Sequence, residues 1–306
     1  MKDKSANVYI ILLNYNNWKD TVECIESLQV IRNLKFHIIV VDNKSTDNSI
    51  VEFNKRLPAS IKLIEAQENK GFSAGNNIGI RYAIQNNADY ILLLNNDTLA
   101  DMDFLTPLIS FAQDTPNLGC ISSRIYYNDN RNQIWYDGGD FNAYICRAIH
   151  RRYNSIGSSI TGIQVAGFVT GCCMLIPRDV IKQVGYLDEN YFLYVEDTEY
   201  SLRLRKHGFE LYWNADCYIY HKVSASTNKI SRLTNYYEIR NRLLLKQTYL
   251  NWLQKIVTGL YNVPFYSYKL LSKKYDIVTF RKAISDHRNN NYGRYNDNLN
   301  KWDISK

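Results

Sequence analysis

Along the first hundred residues, short apolar runs alternate with segments whose apolar residues recur at helical spacing. The runs are "VYIILLN" (8–14), "FHIIVVDN" (36–43), "IKLIEA" (61–66) and "YILLLNND" (90–97). None alternates cleanly between apolar and polar, which is the pattern of strands covered on both faces. Between them, "WKDTVECIESLQ", "TDNSIVEFNKR" and "AGNNIGIRYAIQNN" carry the period of amphipathic helices. Alternation of strand and helix predicts an α/β fold with a parallel, doubly wound sheet, and such sheets bind ligands beyond the carboxyl ends of their strands.

Polar residues follow three of the runs at that end: Asn14, Tyr15 and Asn16 after the first, Asp42 and Asn43 after the second, Asn95, Asn96 and Asp97 after the fourth. A buried strand tolerates such groups only where something satisfies them, so three strand ends point to one crevice. Ser45 and Asp47 also suit plain helix caps, the more ordinary role for Asp47. Asp42, directly behind "IIVV", stands several residues before the next helix, which weakens capping as its explanation.

Past residue 110 the pattern loosens. "GCISSRIYY", "VAGFVTGCCMLIP", "FELYW" and "CYIYH" read as further strands, and 126–163, rich in Tyr, Asn, Arg and Gly, reads as an exposed excursion or mobile loop. "YVEDTEYSLRLRKHG" is a helix, with Leu202 and Leu204 inward, Lys206 and His207 in its last turn and Gly208 to stop it. From about residue 230, "SRLTNYYEIRNRLLLKQTYLNWLQKIVTGLYNVPFYSYKLLSKK" reads as one or two amphipathic helices with interleaved aromatic and basic residues. There is no internal repeat and no low-complexity linker. The organisation expected is a nucleotide-binding and catalytic domain over 1–225 and a basic, aromatic helical region over 226–306.

With 306 residues and 45% hydrophobic content, the chain fills a sizeable core. Six cysteines include no C-x-x-C pair, and the start is too polar for a secretory signal, so a reduced, cytosolic protein is expected. The 13 uncharged residues 256–268 fall short of the ~18 a membrane span needs. Charge is unevenly spread: residues 222–306 carry 16 Lys and Arg against 5 Asp and Glu (net +11), residues 1–221 carry 21 against 25 (net −4). Basic residues among aromatics on amphipathic helices suit the surface of an anionic bilayer, with a solvated face or a dimer contact as the alternatives. No nucleic-acid motif competes.

A nicotinamide-type G-x-G-x-x-G is missing after the first run, where the residues are "NYNNWKD", and so is the P-loop pattern. Phosphate therefore needs another device, such as a cation placed by a carboxylate, for which Asp97 is the candidate.

The blocks "VYIILLNYN", "IIVVDNKSTDNS", "NKGFSAGNNIGI", "ILLLNNDT", "GFVTGCCMLIPRDVIKQVGYLDENYFLYVEDTEYSLRLRKHGFELYW", "YHKVSAST" and "YYEIRNRL" follow one another from about residue 8 to 242. In this order they resemble the family 2 glycosyltransferases of GT-A fold, within them the bacterial rhamnosyltransferase-like branch. The resemblance implies that Asn14 and Tyr15 cradle the nucleotide and that Asp42 accepts the ring N–H of the base. It implies that Lys70, Gly71, Asn76 and Asn77 close over ribose and diphosphate. Asn95, Asn96 and Asp97 occupy the place of the family's D-x-D, whose last Asp ligates Mg2+ or Mn2+; Asn95 departs from that pattern, leaving one carboxylate. His221 matches a histidine reaching the same metal, and Asp197 matches the catalytic base, with Glu196 beside it.

Neighbouring residues at a helix start project about 100° apart, so one carboxylate of the 196/197 pair faces the acceptor. Asp197 is assigned that role and Glu196 the holding of acceptor or of a backbone amide. Without the resemblance, a helix beginning "EDTE" is more often a solvated terminus, and a histidine in a Tyr-rich strand is more often structural. His37, His150 and His287 have no constellation around them, Cys172 and Cys173 read as small buried residues, and Trp213 and Tyr194 either wall a sugar subsite or fill the core. The implied activity is inverting, metal-dependent transfer of a sugar, from dTDP-L-rhamnose or else from UDP-galactose or a UDP-N-acetylhexosamine. The implied acceptor is a lipid-linked saccharide of cell-surface polysaccharide or O-antigen synthesis at the cytoplasmic membrane face. A reading of another class is a non-catalytic assembly scaffold, motivated by Asn95.

Overall fold

The apolar runs of the first hundred residues form β1 (Val8–Asn14), β2 (Phe36–Asp42), β3 (Lys62–Glu65) and β4 (Tyr90–Asn95), separated by helices α1 (Trp18–Leu28), α2 (Ser49–Arg56) and α3 (Gly71–Gln85). The structure is a computed structural model that describes residues 6–31, 34–223 and 232–295. The four strands run parallel in the order β3-β2-β1-β4, with Asn14 abreast of Asp42 and Leu13 abreast of Asn95. Ile10, Ile11, Leu12, Ile39, Val40, Val41 and Leu92 are fully buried, so helices cover both faces, as the unbroken apolar runs require. The polar residues that end these strands share one edge of the sheet.

The second half reverses direction. After β5 (Thr98–Ala100), α4 (Leu105–Asp114) and β6 (Leu118–Tyr127), the chain returns as β11 (Cys173–Pro177), which lies between β4 and β6 and runs antiparallel to both. Helices α5 (Arg178–Val184) and α6 (Glu196–Lys206) follow, then β12 (Glu210–His221), parallel to β6. "FELYW" and "CYIYH", read as two strands, are this one strand, which keeps its partner through register shifts before Leu211 and between Asn214 and Tyr218. "VAGFVTGCCMLIP", read as one strand, is instead β10 (Ile163–Ala166) and β11 with a turn between them.

The stretch 126–163 is not an exposed excursion. It contains β7 (Ile134–Tyr136), β8 (Gly139–Asn142) and β9 (Arg147–His150), and Ile134, Tyr136 and Asp137 are buried. Its charges mislead because they are paired internally: Asp137 takes Arg124 at 2.8 Å and Arg152 on its other oxygen.

The stretch ending at Lys274 forms two helices, α7 (Arg232–Tyr249) and α8 (Trp252–Leu271), and a third, α9 (Ile277–Arg288), follows it. An Asn251/Gln254 capping box starts α8 and the Asp276 side chain caps α9. They grip the segment that leads into α6. Asn241 donates to the carbonyls of Leu193 (3.0 Å) and Tyr194 (2.8 Å), the buried Arg240 donates to that of Asn190 (3.3 Å), and the Tyr237 ring stacks on Phe192 with centroids 5.0 Å apart. The boundary expected near residue 225 lies outside the described residues.

From the other side, α3 presses on the same segment. Gly71 has φ +90°, a Cβ there would stand 2.0 Å from the Phe192 carbonyl oxygen, and the Phe72 N–H donates to that oxygen at 2.7 Å. Both the backbone conformation and the space demand glycine. Gly71→Ala is expected to lower stability by about 2 kcal/mol or more in urea denaturation; an unchanged midpoint would show that this contact does not hold the segment.

Candidate active site

At the carboxyl edge, the residues ending β1, β2 and β4 form one buried network. Asn14 Nδ2 donates to Asp42 Oδ1 (2.9 Å) and Ser45 Oγ (3.1 Å), and Asp42 also accepts from the Ser45 N–H (2.8 Å) and hydroxyl (2.6 Å). Asn14 Oδ1 accepts from Thr21 Oγ1 at 3.0 Å, and Asn96 Nδ2 donates to that hydroxyl oxygen at 2.8 Å. Asn14, Asp42 and Asn96 thus come together, knitted through Thr21 and Ser45, while Tyr15 stands outside the network, 45% exposed. Asp47 accepts from the Ser49 N–H at 2.9 Å, while the N-cap position of α2 is held by Asn48.

The start of α3 is joined to this rim by Asn43, whose Nδ2 donates to Asn69 Oδ1 (3.0 Å) and the Gly71 carbonyl (3.1 Å). Lys70 is exposed and pairs with Glu68 at 2.8 Å. Asn76 and Asn77, expected at ribose and diphosphate, have their donors engaged elsewhere. Asn76 donates to the Phe72 carbonyl (3.0 Å); Asn77 donates to the Leu187 carbonyl and Glu189 Oε1 (both 2.9 Å) and accepts from the Leu187 N–H (3.1 Å). Asn77 is therefore the peg that fixes the 187–189 turn to α3.

Asp97 and His221 meet directly: β12 pairs with β5, and His221 Nε2 stands 3.1 Å from Asp97 Oδ1. The pair offers a carboxylate oxygen and an imidazole nitrogen, a donor set suited to Mg2+ or Mn2+ once ligand and water oxygens complete the shell. Among the described residues no group of three His, Cys, Asp or Glu side chains is placed to hold a metal alone. His221 Nδ1 is buried without a partner among the described residues, as are Asn43 Oδ1, Ser73 Oγ and Glu196 Oε2. Unsatisfied buried polar atoms are scarce in folded proteins, and these four belong to segments that border the cleft.

His150 joins this group although nothing near it in the chain announces it. Its Nδ1 lies 3.0 Å from the Trp135 carbonyl and so carries the proton, and the Trp135 ring sits edge-on to both His150 (5.0 Å) and His221 (4.6 Å). Burial lowers its pKa, a shift the neighbouring negative charge of Asp197 opposes. Only the pairing of β8 with β9 delivers it here, so no local signal reveals it.

Helix α6 begins with a backbone that few residues adopt: Tyr194 (φ +67°) and Val195 (φ +74°) are consecutive left-handed residues, neither a glycine. Such strain costs about 1–3 kcal/mol per residue and persists where neighbours over-determine it, here through the bonds from Asn241. The turn delivers Asp197 against the β10–β11 connection, where it accepts from the Gly171 N–H (3.0 Å) and the Thr198 N–H (2.7 Å). The carbonyl of the next residue, Cys172, accepts from the Asn95 N–H at 2.9 Å. Adjacent residues therefore tie the end of β4 to the start of α6, which brings the carboxylates at 97 and 197 to the same stretch of chain. Both act on the Cys172 thiol, whose pKa is pushed up by burial first and Asp97 second.

Asp197 is half-buried and Glu196 is 7% exposed. Burial raises both pKa values; two backbone N–H groups oppose the rise at Asp197, whereas the charge of Asp197 pushes Glu196 well above the carboxylate range. Asp197 accordingly ionises first. Asp197 holds the amides of Gly171 and Thr198, and the Glu196 carboxyl is assisted by its own backbone N–H. Trp213 is a core residue, buried between the guanidinium groups of Arg124 (5.7 Å) and Arg152 (5.8 Å). Tyr194 is half-buried, its hydroxyl 3.4 Å from Thr234 Oγ1.

The family model described as Glycosyl transferase family 2 matches residues 9–185. The low-salt glycan biosynthesis hexosyltransferase Agl10 of Haloferax volcanii is 26% identical over 241 residues, 77% of this chain and 74% of that protein. The dTDP-rhamnosyl transferase RfbF of Shigella flexneri is 21% identical over 294 residues, 92% of this chain and 94% of that protein. Among solved structures, the mannosyltransferase PcManGT from Pyrobaculum calidifontis in complex with GDP-Man and Mn2+ superposes with TM-score 0.54 at 13% identity, covering 93% of this chain and 86% of that one. GalNAc-T7 with UDP, GalNAc and Mn2+ gives TM-score 0.58 at 13% identity and covers 85% of this chain, which spans about half (55%) of that structure's length. At such identities the likeness establishes the fold, that of GT-A glycosyltransferases.

The state of Glu196 has a consequence for stability. Its folded pKa lies well above the ordinary 4.5, so folded protein keeps a proton that unfolded protein has lost, and stability falls as pH rises through that window. Glu196→Gln removes this dependence. Relative to the parent, its melting temperature is expected to gain steadily from pH 4.5 upward and to plateau above the raised pKa; thermal melts across pH showing a constant difference would refute the buried, protonated carboxyl.

Proposed function

The chain belongs to glycosyl transferase family 2, and from that premise we propose an inverting, divalent-metal-dependent transferase that moves L-rhamnose from dTDP-L-rhamnose to a lipid-linked saccharide acceptor in cell-surface polysaccharide or O-antigen synthesis. The observation that carries the reading is the joining of the Asp97–His221 pair to Asp197 through Gly171 and Cys172. Rhamnose as the sugar rests on the likeness to RfbF along 92% of the chain. A UDP-galactose or UDP-N-acetylhexosamine donor is the alternative, because the rim residues Asn14 and Asp42 offer nothing that separates uracil from thymine. Asn95, where a first carboxylate would stand, motivates the other reading, a scaffold without turnover.

Asp97 and His221 would hold the Mg2+ or Mn2+, which when bound supplies positive charge against that gathering on the departing nucleoside diphosphate. Asp197 takes the proton of the acceptor hydroxyl on a carboxylate oxygen as that hydroxyl attacks the anomeric carbon. The N–H groups of Gly171 and Thr198 fix the plane of this carboxylate, and the α6 N-terminus favours its ionised form against burial. With the base on α6 and the diphosphate site at the end of β4, a single displacement inverts the anomeric configuration. Glu196, still protonated where Asp197 is ionised, keeps a second negative charge away from the incoming hydroxyl.

Release of nucleoside diphosphate from a panel of dTDP- and UDP-sugars, with acceptor saccharide and Mn2+, tests this. Asp197→Asn is expected to slow turnover by about 10²–10⁴-fold while donor binding persists. Because burial raises the Asp197 pKa and the ionised form is required, the acid limb of the parent's pH–rate profile should lie above the ordinary carboxylate value of 3.8. Asp97→Ala should abolish the response to Mn2+. Donor binding without turnover in the parent, whatever the sugar, would favour the scaffold.

A further inference from the structure

Helix α8 has its polarity reversed. Trp252, Leu253, Ile256, Leu260, Val263 and Leu271 are 49–85% exposed, and at 3.6 residues per turn they fall within one arc of about 100°. The polar exception inside that arc is Ser267. The helix's two charged side chains turn back onto the protein: Lys255 Nζ donates to the Gln247 carbonyl at 2.9 Å, and Lys269 Nζ lies 5.5 Å from the Phe265 and Tyr275 rings. Thr258 bonds the Ala143 carbonyl at 3.1 Å and Tyr266 enters an aromatic cluster with Tyr236 and Tyr237, so the inward face is already committed. A continuous apolar face of this kind, unlike scattered surface leucines, marks an interaction site.

Charge selects the occupant. No Asp or Glu occurs from residue 239 to 275, a stretch with seven Lys and Arg. The three carboxylates of 232–295, Glu238, Asp276 and Asp286, each stand near a base, Arg242 (3.3 Å), Arg232 (3.7 Å) and Lys282 (2.7 Å). The exposed Lys273 and Lys274 directly follow the apolar face, and Ile277 and Val278 extend it onto the first turn of α9. A second copy would set two such positive surfaces against each other. No helix of the described residues is long and apolar enough to cross a membrane.

We propose that α8 lies in the plane of an anionic lipid bilayer, its outward face in the acyl boundary and Lys273 and Lys274 at the headgroups. This holds whatever sugar is transferred.

Flotation of the full chain with phosphatidylcholine vesicles, with and without about one third phosphatidylglycerol, tests it. The protein should float with the anionic vesicles, more weakly at high salt. Leu260→Ser with Val263→Ser should lower vesicle affinity by about tenfold or more at an unchanged melting temperature, since both side chains are exposed. Lys273→Glu with Lys274→Glu should abolish the preference for phosphatidylglycerol. Absence of flotation, affinity untouched by the serine pair, or a dimer in sedimentation that this pair dissolves while vesicles capture nothing would each overturn the proposal.

Discussion

Two consecutive residues, Gly171 and Cys172, hold the site together. The Gly171 N–H orients the Asp197 carboxylate and the Cys172 carbonyl receives the N–H of Asn95, so one turn of chain links Asp197 to the strand end that carries the Asp97–His221 pair. Each such hydrogen bond contributes only about 1 kcal/mol net, too little to position strands. The turn is held because β11 behind it is sunk in the core: Cys173, Met174, Leu175 and Ile176 are fully buried between β4 and β6. Burying side chains of this size is worth about 1.5–3 kcal/mol apiece, so hydrophobic burial fixes position and the hydrogen bonds fix orientation.

Around that turn, burial and hydrogen bonding oppose one another, and the balance differs between neighbours. Asp197 has two backbone N–H donors against its desolvation; Glu196, one residue earlier, has a buried oxygen with no partner among the described residues and a like charge beside it. Two carboxylic acids adjacent in sequence are thereby separated into one that ionises and one that holds its proton. The left-handed Tyr194 and Val195 aim them, and the segment before them is clasped by α3 through Gly71 and Asn77 and by α7 through Arg240 and Asn241. The C-terminal helices thus serve the site as well as presenting an apolar face outward.

Much of the first half was legible because its signals are local. Unbroken apolar runs fit only strands covered on both faces, and polar residues behind Leu13, Val41 and Leu94 mark one sheet edge, since parallel strands bring like ends together. The roles proposed for Asp97, Asp197 and His221 came from motif resemblance, not periodicity. Composition misled where charges were satisfied internally, as at Asp137 with Arg124 and Arg152, and only the structure shows that the Asn77 amide holds the neighbouring 187–189 turn.

By itself the sequence determined strand and helix periods, the parallel half of the sheet, the helix start at Glu196 and the basic character of the tail. Those depend on near neighbours along the chain. Only the tertiary structure decided that His221 reaches Asp97, that Trp135 stands against both His150 and His221, that Asp197 receives the amides of Gly171 and Thr198, and that α8 turns its apolar face outward. These depend on which strand slots beside which and on what each side chain finds there, and a reversal such as β11 leaves no mark in the spacing of apolar residues.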